Sequence, residues 1–198
     1  MGKSDISKAV KALSDGKIVV YPTDTLYGIG ADIYNEKAIN QVFEIKKRLK
    51  TDPLSVAVSR FSEIEKIAFV DDKTKELAEV FLPGKLTIIL NKKDVVPDFV
   101  TGGLDKIAIR IPDNKIALEL LSKFGPLTAT SANIHGEKTP GIINDIIMQF
   151  KDNIAVYLDD GCFKGKSSTI VDATSKKFKI IREGAISKDK ILDMMQYG

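Results

Sequence analysis

Apolar residues recur along this chain at two alternating spacings. In "DISKAVKALSDG" they fall at Ile6, Ala9, Val10 and Leu13, the period of an amphipathic helix closed by Gly16, and the β-branched run "KIVVY" follows at once. The change repeats: "EKAINQVFEIKKRL" carries Ala38, Val42, Phe43 and Ile45 ahead of the strand "PLSVAVS". Likewise "DKTKELAEVFL", a helix broken at Pro83-Gly84, precedes the strand "LTIILN". "KIAIRI" reads as a strand, "NKIALELLSKF" as a helix ended by Gly125-Pro126, and "LTATSA" as a strand running into a loop. "TPGIINDIIMQF", "NIAVYL", "STIVDAT", "KFKIIR" and "ISKDKILDMMQ" complete the series. Helices and strands that interleave mostly one by one predict an α/β fold, a twisted mixed sheet with helices packed on it. The neighbouring strands near the C-terminus predict some antiparallel pairing. No repeat, low-complexity tract or linker divides the chain, so one domain over residues 1–198 is expected.

Composition narrows the function classes. With 198 residues, 43% of them hydrophobic, the chain can bury a substantial core. A net charge of +3 is far from that of a DNA-packaging protein, so any nucleic-acid contact must come from a local patch. Cys162 is the one cysteine and His135 the one histidine, which excludes an internal disulfide and a protein-built zinc site of the usual ligands. No stretch approaches the roughly 18 apolar residues of a membrane span, and "MGKSDISKAV" has no signal-like apolar region. Asp5 and Ile6 stand where a myristoylation signal wants Ser or Thr. A soluble, cytoplasmic protein without a membrane partner is expected.

"GCFKGKSS", Gly161 to Ser168, comes close to the phosphate loop G-x-x-x-x-G-K-[ST] after the strand "NIAVYLDD". It has three residues between its glycines instead of four, and the next segment, "STIVDAT", reads as a strand where the motif needs a helix N-terminus. A hairpin-like connection with Gly161 and Gly165 at turn positions is expected instead.

Three other segments carry candidate chemistry. "YPTDTLYGIG" leaves the first strand with Thr23, Asp24, Thr25 and Tyr27, which suits either a polar, amine-bearing ligand or an ordinary turn. "EIKKRLK" sets Lys46, Lys47, Arg48 and Lys50 at a helix C-terminus, where cations answer the helix dipole or clamp phosphates. "TATSANIHGEKTPG" gathers Thr128, Thr130, Ser131 and Asn133, which could read a nucleotide or satisfy loop backbone. His135 lacks a Ser-His-Asp or Cys-His context and Cys162 an activating neighbour, so the first is read as a surface residue and the second as inert. Arg110, inside an apolar strand, must meet an anion, either a carboxylate of the fold or one of a ligand.

Seven segments stand in a recognisable order: "PTDTLYGIG", "KKR" then "DPL", "PGKLT", "AIRIP", "TSAN" then "GEKTP", "SSTIVD" and "REGAI". From about Ser4 onward the chain resembles the YrdC/TsaC family, the L-threonylcarbamoyladenylate synthases, in their short, single-domain form. The resemblance implies an enzyme joining L-threonine, bicarbonate and ATP, with magnesium, into threonylcarbamoyl-AMP and pyrophosphate. That is the first step of tRNA threonylcarbamoyladenosine formation, and the implied partners are tRNA or double-stranded RNA and a downstream threonylcarbamoyl transferase complex. It implies an open, positively charged cavity. It places Lys46, Arg48, Ser131 and Asn133 at the ATP phosphates, with Lys46 and Arg48 catalytic, and Asp52, Thr139 and Arg182 also near the nucleotide. Thr25, Tyr27, Arg110 and Ser168 fall at positions that hold L-threonine. No metal-ligating residue is implied.

The chain departs from the pattern at Leu49, Asp52, Ala57, Lys85 and Lys106. Asp52 beside a triphosphate would be repulsive unless Lys50, Lys106 or magnesium compensates. Two rivals of the same fold are an RNA-binding protein without synthase activity, which would suit "KKRLK" and "SKKFK", and an O-carbamoyltransferase. The second would require an acylphosphatase-like region and zinc fingers that this sequence does not carry.

Overall fold

The computed structural model describes residues 3–197. Helix α1 (Lys3–Ser14) leads into β1 (Val19–Tyr21) and β2 (Gly28–Gly30), and α2 (Glu36–Lys46) comes next. After β3 (Ser55–Ala57) come α3 (Phe61–Ile67), α4 (Asp72–Phe81), β4 (Leu86–Asn91), α5 (Asp98–Thr101), β5 (Lys106–Arg110) and α6 (Lys115–Phe124). The remainder is β6 (Leu127–Thr128), β7 (Thr130–Ser131), α7 (Ile143–Phe150), a 3-10 turn, β8 (Val156–Tyr157), β9 (Thr169–Asp172), β10 (Lys179–Arg182) and α8 (Lys188–Tyr197). No helix among the described residues is long and apolar enough to cross a membrane.

The α/β class holds, with the strands divided between two mixed sheets. Four strands run in the order β7-β2-β1-β8 and six in the order β10-β9-β4-β5-β3-β6. β9 and β10 pair antiparallel, as the adjacent strands near the C-terminus predict. "LTATSA" is where the chain passes from one sheet to the other: β6 pairs with β3, β7 pairs with β2, and Ala129 between them donates its N–H to the Ser55 carbonyl at 2.7 Å.

The single sheet expected is two, two further expectations need correction, and two short helices add to those expected. "GIG" in the first loop is β2, paired antiparallel with β1 from Tyr21↔Gly28 to Val19↔Gly30. Helices α3 and α5, of seven and four residues, are too short to show a period in the sequence. The stretch around "GCFKGKSS" joins β8 of one sheet to β9 of the other, so it is a crossover and not a hairpin.

The six-stranded sheet divides its residues by period two. Val56, Ile88, Ile109 and Val171 are paired across β3, β5, β4 and β9 and are at most 1% exposed, forming the core face. Each such side chain contributes about 1.5–3 kcal/mol by leaving water. On the other face the same registers align Ser55, Ala108, Ile89, Thr87 and Ile170. Ser55, Ala108 and Thr87, small or hydroxyl-bearing, leave room between Ile89 and Ile170 that larger side chains would fill.

Helix α2 is capped by Asn35, whose side chain accepts the Ala38 N–H at 3.1 Å, and it buries Ala38, Ile39, Val42, Phe43 and Lys46. Lys46 therefore lies on the core-facing stripe, one and two turns beyond Val42 and Ile39. At Lys47 the backbone takes the left-handed conformation (φ 52), with Lys47 N–H bonded to Glu44 O and Arg48 N–H to Phe43 O. That motif ends the helix and turns Arg48 away from it. The turn rests on α5, where Leu54 N–H meets Val100 O at 2.9 Å. Gly102 (φ +63) passes so close to Thr51 that a Cβ would lie 2.3 Å from its carbonyl oxygen.

Candidate active site

Strands of both sheets and the loops between them wall a cavity of about 640 Å³. One wall is the polar face of the six-stranded sheet, bearing Ser55, Thr87, Ala108 and Arg110. The opposing side comes from the segment after β1, from Arg48, and from the stretch beyond β7. The ionisable residues among its lining are Arg48, Arg110, Lys138 and Arg182, with Glu137 as the carboxylate and Tyr27 as the phenol.

Arg110 is 5% exposed, and the anion it requires is Asp24 of the fold. Its guanidinium donates to Asp24 Oδ1, to Thr25 Oγ1 at 3.0 Å and to Gly84 O at 3.4 Å. Thr25 is fixed in turn by Thr23, whose hydroxyl lies 3.0 Å from Thr25 Oγ1 and accepts the Thr25 and Leu26 N–H groups at 3.2 Å. The segment after β1 is thus both the local turn and the cavity wall that the sequence offered as alternatives. Asp24 Oδ2 and Arg110 Nε are buried without a protein partner.

Lys46 is 2% exposed and does not line the cavity. Its ammonium donates to the Ser131 carbonyl and, at 2.7 Å, to that of Asn133. Burial, and secondarily the charge of Arg48, lowers its pKa to about 7. Arg48 does reach the cavity, with its side chain 21% exposed. It donates to Pro53 O at 2.9 Å and lies 3.6 Å from Asp52. Asp52 is therefore neutralised by Arg48, whereas Lys106 pairs with Asp172 at 3.1 Å and gives Asp52 no compensation.

Ser131, Asn133 and Thr139 form one hydrogen-bonded unit. Asn133 Oδ1 accepts from the Ser131 hydroxyl and from Thr139 Oγ1 at 3.2 Å, and its amide donates to Ile134 O at 2.8 Å and Glu137 O at 2.7 Å. On the far side Ser168 Oγ lies 2.8 Å from Thr87 Oγ1, while its carbonyl accepts from Arg182 at 2.8 Å. Burial first, and then the nearby charge of Arg110, lowers the pKa of Arg182. Tyr27 presents its phenol to Asp159 Oδ1 at 2.6 Å and Gly161 O at 2.8 Å and meets Phe163 edge-on at 4.8 Å. Burial and the Asp159 hydrogen bond push its pKa up. The crossover after β8 is held against the cavity in this way, and Gly165 within it passes over Thr25, where a Cβ would stand 3.1 Å from the carbonyl oxygen.

Arg48, Ser131, Asn133, Thr139, Arg182, Thr25, Tyr27, Arg110 and Ser168 all line the cavity, whereas Lys46 and Asp52 do not. Thr87, Lys138 and Ser167 stand within the motifs "PGKLT", "GEKTP" and "SSTIVD" but receive no site role from the resemblance, and Ser55 stands outside them; all four also line the cavity. Thr87 and Ser55 had a signal, since each occupies an alternate position in an otherwise apolar strand. His135 and Cys162 are exposed.

The Sua5_yciO_yrdC family model, described as telomere recombination, matches residues 11–184. This chain belongs to the Sua5/YciO/YrdC family. A relative from Methanocaldococcus jannaschii is 45% identical over 182 residues, 91% of this chain and 86% of that protein. The Pyrococcus abyssi threonylcarbamoyl-AMP synthase is 36% identical over 90% of this chain, which spans 54% of that relative's length. The crystal structure of P. abyssi Sua5 complexed with L-threonine has a TM-score of 0.94 at 34% identity, covering 98% of this chain and 58% of that one. Among the departures from the family pattern, Leu49 is 71% exposed, Lys85 is exposed, and Ala57 is fully buried.

Proposed function

We propose that this member of the Sua5/YciO/YrdC family makes L-threonylcarbamoyl-AMP and pyrophosphate from L-threonine, bicarbonate and ATP. The observation that carries the reading is the convergence of nine residues, named from separate segments of the sequence, on one cavity. The name of the P. abyssi relative and the L-threonine held by its Sua5 structure support it.

In this reading Thr25, Tyr27, Arg110 and Ser168 orient L-threonine. Because Asp24 already offsets Arg110, the guanidinium offers an amino-acid carboxylate hydrogen-bond donors more than uncompensated charge. Threonine's ammonium gives up a proton, and the free amine then adds to the carbon of bicarbonate, releasing water and leaving a carbamate. A carbamate oxygen then attacks the α-phosphorus of ATP, and the bond to the bridging oxygen breaks as pyrophosphate departs. Arg48 and Arg182 would neutralise phosphate charge while Ser131, Asn133 and Thr139 position the nucleotide, so positioning and electrostatics carry the rate.

Magnesium would enter on the ATP phosphates, where it supplies charge neutralisation. Among the described residues no group of three or more His, Cys, Asp or Glu side chains could hold a metal ion, which fits an ion held chiefly by its nucleotide. The product would pass to a threonylcarbamoyl transferase acting on tRNA in the cytoplasm.

Purified protein given ATP, magnesium, L-threonine and bicarbonate should form threonylcarbamoyl-AMP, seen by mass spectrometry, with one pyrophosphate per product. Its absence at millimolar substrates, with the protein folded, would overturn the assignment and leave the RNA-binding alternative standing.

A further inference from the structure

The family pattern K-x-R pairs Lys46 with Arg48, yet the fold sends the two in opposite directions. Lys46 ends the buried stripe of α2, and the left-handed turn at Lys47 carries Arg48 out to the cavity. A lysine has three donors and no acceptor. Here Nζ spends two of them on the carbonyls of Ser131 and Asn133. The backbone carbonyl of Lys46 accepts the His135 N–H at 2.8 Å, so this one residue grips the 131–135 segment three times.

Its other anchors are the short pairing of β7 with β2, the Ala132 N–H on the Tyr27 carbonyl at 2.8 Å and the buried Ala132 methyl, all on the side of the segment that enters from the sheet. β7 is two residues long, and beyond it the chain is held by the Asn133 side chain, which ties Ser131, Ile134, Glu137 and Thr139 together. The cavity groups of Ser131, Asn133 and Thr139 are therefore a unit that β7 fixes at its start and that Lys46 holds from beneath through the Ser131 and Asn133 carbonyls. Moving Nζ to a substrate would leave two carbonyls unpaired beneath the loop, a costly exchange.

We propose that Lys46 is a positioning residue, which fixes the 131–139 wall through the Ser131 and Asn133 carbonyls and does not itself touch substrate. The nucleotide arm of its test rests on the proposed synthase function; the structural arm does not. What matters at position 46 is then hydrogen-bond donors and not positive charge. Lys46→Gln, neutral and shorter by one bond but still donating two N–H groups, should outperform Lys46→Met, which fills the space without donors.

Amide hydrogen exchange provides the structural arm. Lys46→Met should speed exchange in residues 131–139 by on the order of tenfold, with β4 and β5 unchanged and Lys46→Gln intermediate. Exchange in 131–139 as slow in the Met variant as in the wild type would overturn the proposal. If Lys46→Met does not fold, the comparison of Lys46→Gln with wild type decides alone. Calorimetric titration with Mg-ATP provides the second arm. Lys46→Met and Asn133→Ala should each weaken binding about tenfold or more, and the double variant should bind no worse than the weaker single one. Losses that multiply in the double variant, or a Gln variant as weak as the Met variant, would mean that the ammonium meets phosphate directly. A wild type that binds no ATP would sink the proposed function, while the exchange measurement would still decide the role of Lys46.

Discussion

The two walls of the cavity are built by different means. On the strand wall, Thr87 and Arg110 occupy fixed registers in β4 and β5, and the buried guanidinium is closed off by Asp24, Thr25 and Gly84. On the loop wall, Ser131 at the end of the two-residue β7 and Asn133 and Thr139 beyond it form one bonded unit tied to the buried Lys46, while Arg48 leans out on a reversal of the chain. A strand residue cannot shift without breaking a ladder of backbone bonds, whereas a loop residue is placed by a few side-chain bonds. Damage to the first wall should therefore appear in stability, and damage to the second chiefly in binding and turnover.

Arg110→Leu presses hardest on that contrast. It leaves the Asp24 carboxylate, 7% exposed, without its cation, and breaking one partner from a buried pair costs about 3–5 kcal/mol. Urea unfolding should show the loss, and adding Asp24→Asn should recover part of it. A change below about 1 kcal/mol would place this pair with ordinary surface bridges and erase the distinction between the walls. Arg48→Ala is the counterpart on the loop side. Its stability should stay within about 1 kcal/mol of wild type, since the side chain is partly exposed and makes one carbonyl hydrogen bond. Threonylcarbamoyl-AMP formation should fall by about 10²–10³-fold, the scale of losing one group that stabilises developing charge. Equal losses of stability in both variants would refute the division.

The same contrast explains what the sequence made legible. The strands of the first wall showed in the alternation of "LTIILN", "KIAIRI" and "STIVDAT", and the need of Arg110 for an anion followed from its apolar surroundings. Which anion did not follow, because Asp24 lies 86 residues away along the chain and only the fold brings the two together. The spacing of the "EIKKRLK" helix placed Lys46 on the buried stripe with Ile39 and Val42, a signal its charge concealed. Its carbonyl partners are backbone groups, which no sequence motif displays. Two sheets were read as one because β6 and β7 are separated only by Ala129, and nothing in "LTATSA" marks a change of sheet.

Acidity separates the walls as well. The folded pKa of Lys46 is about 7, whereas an unfolded lysine holds its proton to roughly 10.4. Between about pH 7 and 10 the unfolded chain therefore binds more protons, and stability should climb with pH by up to about 1.4 kcal/mol per unit. Above that window Tyr21 and Tyr27, whose pKa values burial raises, reverse the slope because they keep protons in the folded state that the unfolded chain has lost. Burial lowers the pKa of Arg110 from a value high enough, with Asp24 opposing the shift, that it stays charged between pH 7 and 10 and adds no slope there. Urea melts at a series of pH values should show the rise in wild type and its absence in Lys46→Met, and parallel profiles would deny Lys46 this role.

The smallest expected effect tests the strand wall where it meets ligand. Thr87 Oγ1 and Ser168 Oγ share one buried hydrogen bond at 2.8 Å, linking β4 to the residue that leads into its neighbour β9. Thr87→Val keeps the β-branched shape and removes that bond, so stability should fall by about 1 kcal/mol. Freed from Thr87, the Ser168 hydroxyl can turn among its rotamers, and a contact to L-threonine would lose its preset direction. Calorimetry should then show L-threonine affinity reduced several-fold and ATP affinity unchanged, with Thr87→Ser restoring the first. A Val variant that weakens both ligands equally would mean that the two walls move together, and that the six-stranded sheet does not hold its side of the cavity independently of the loop.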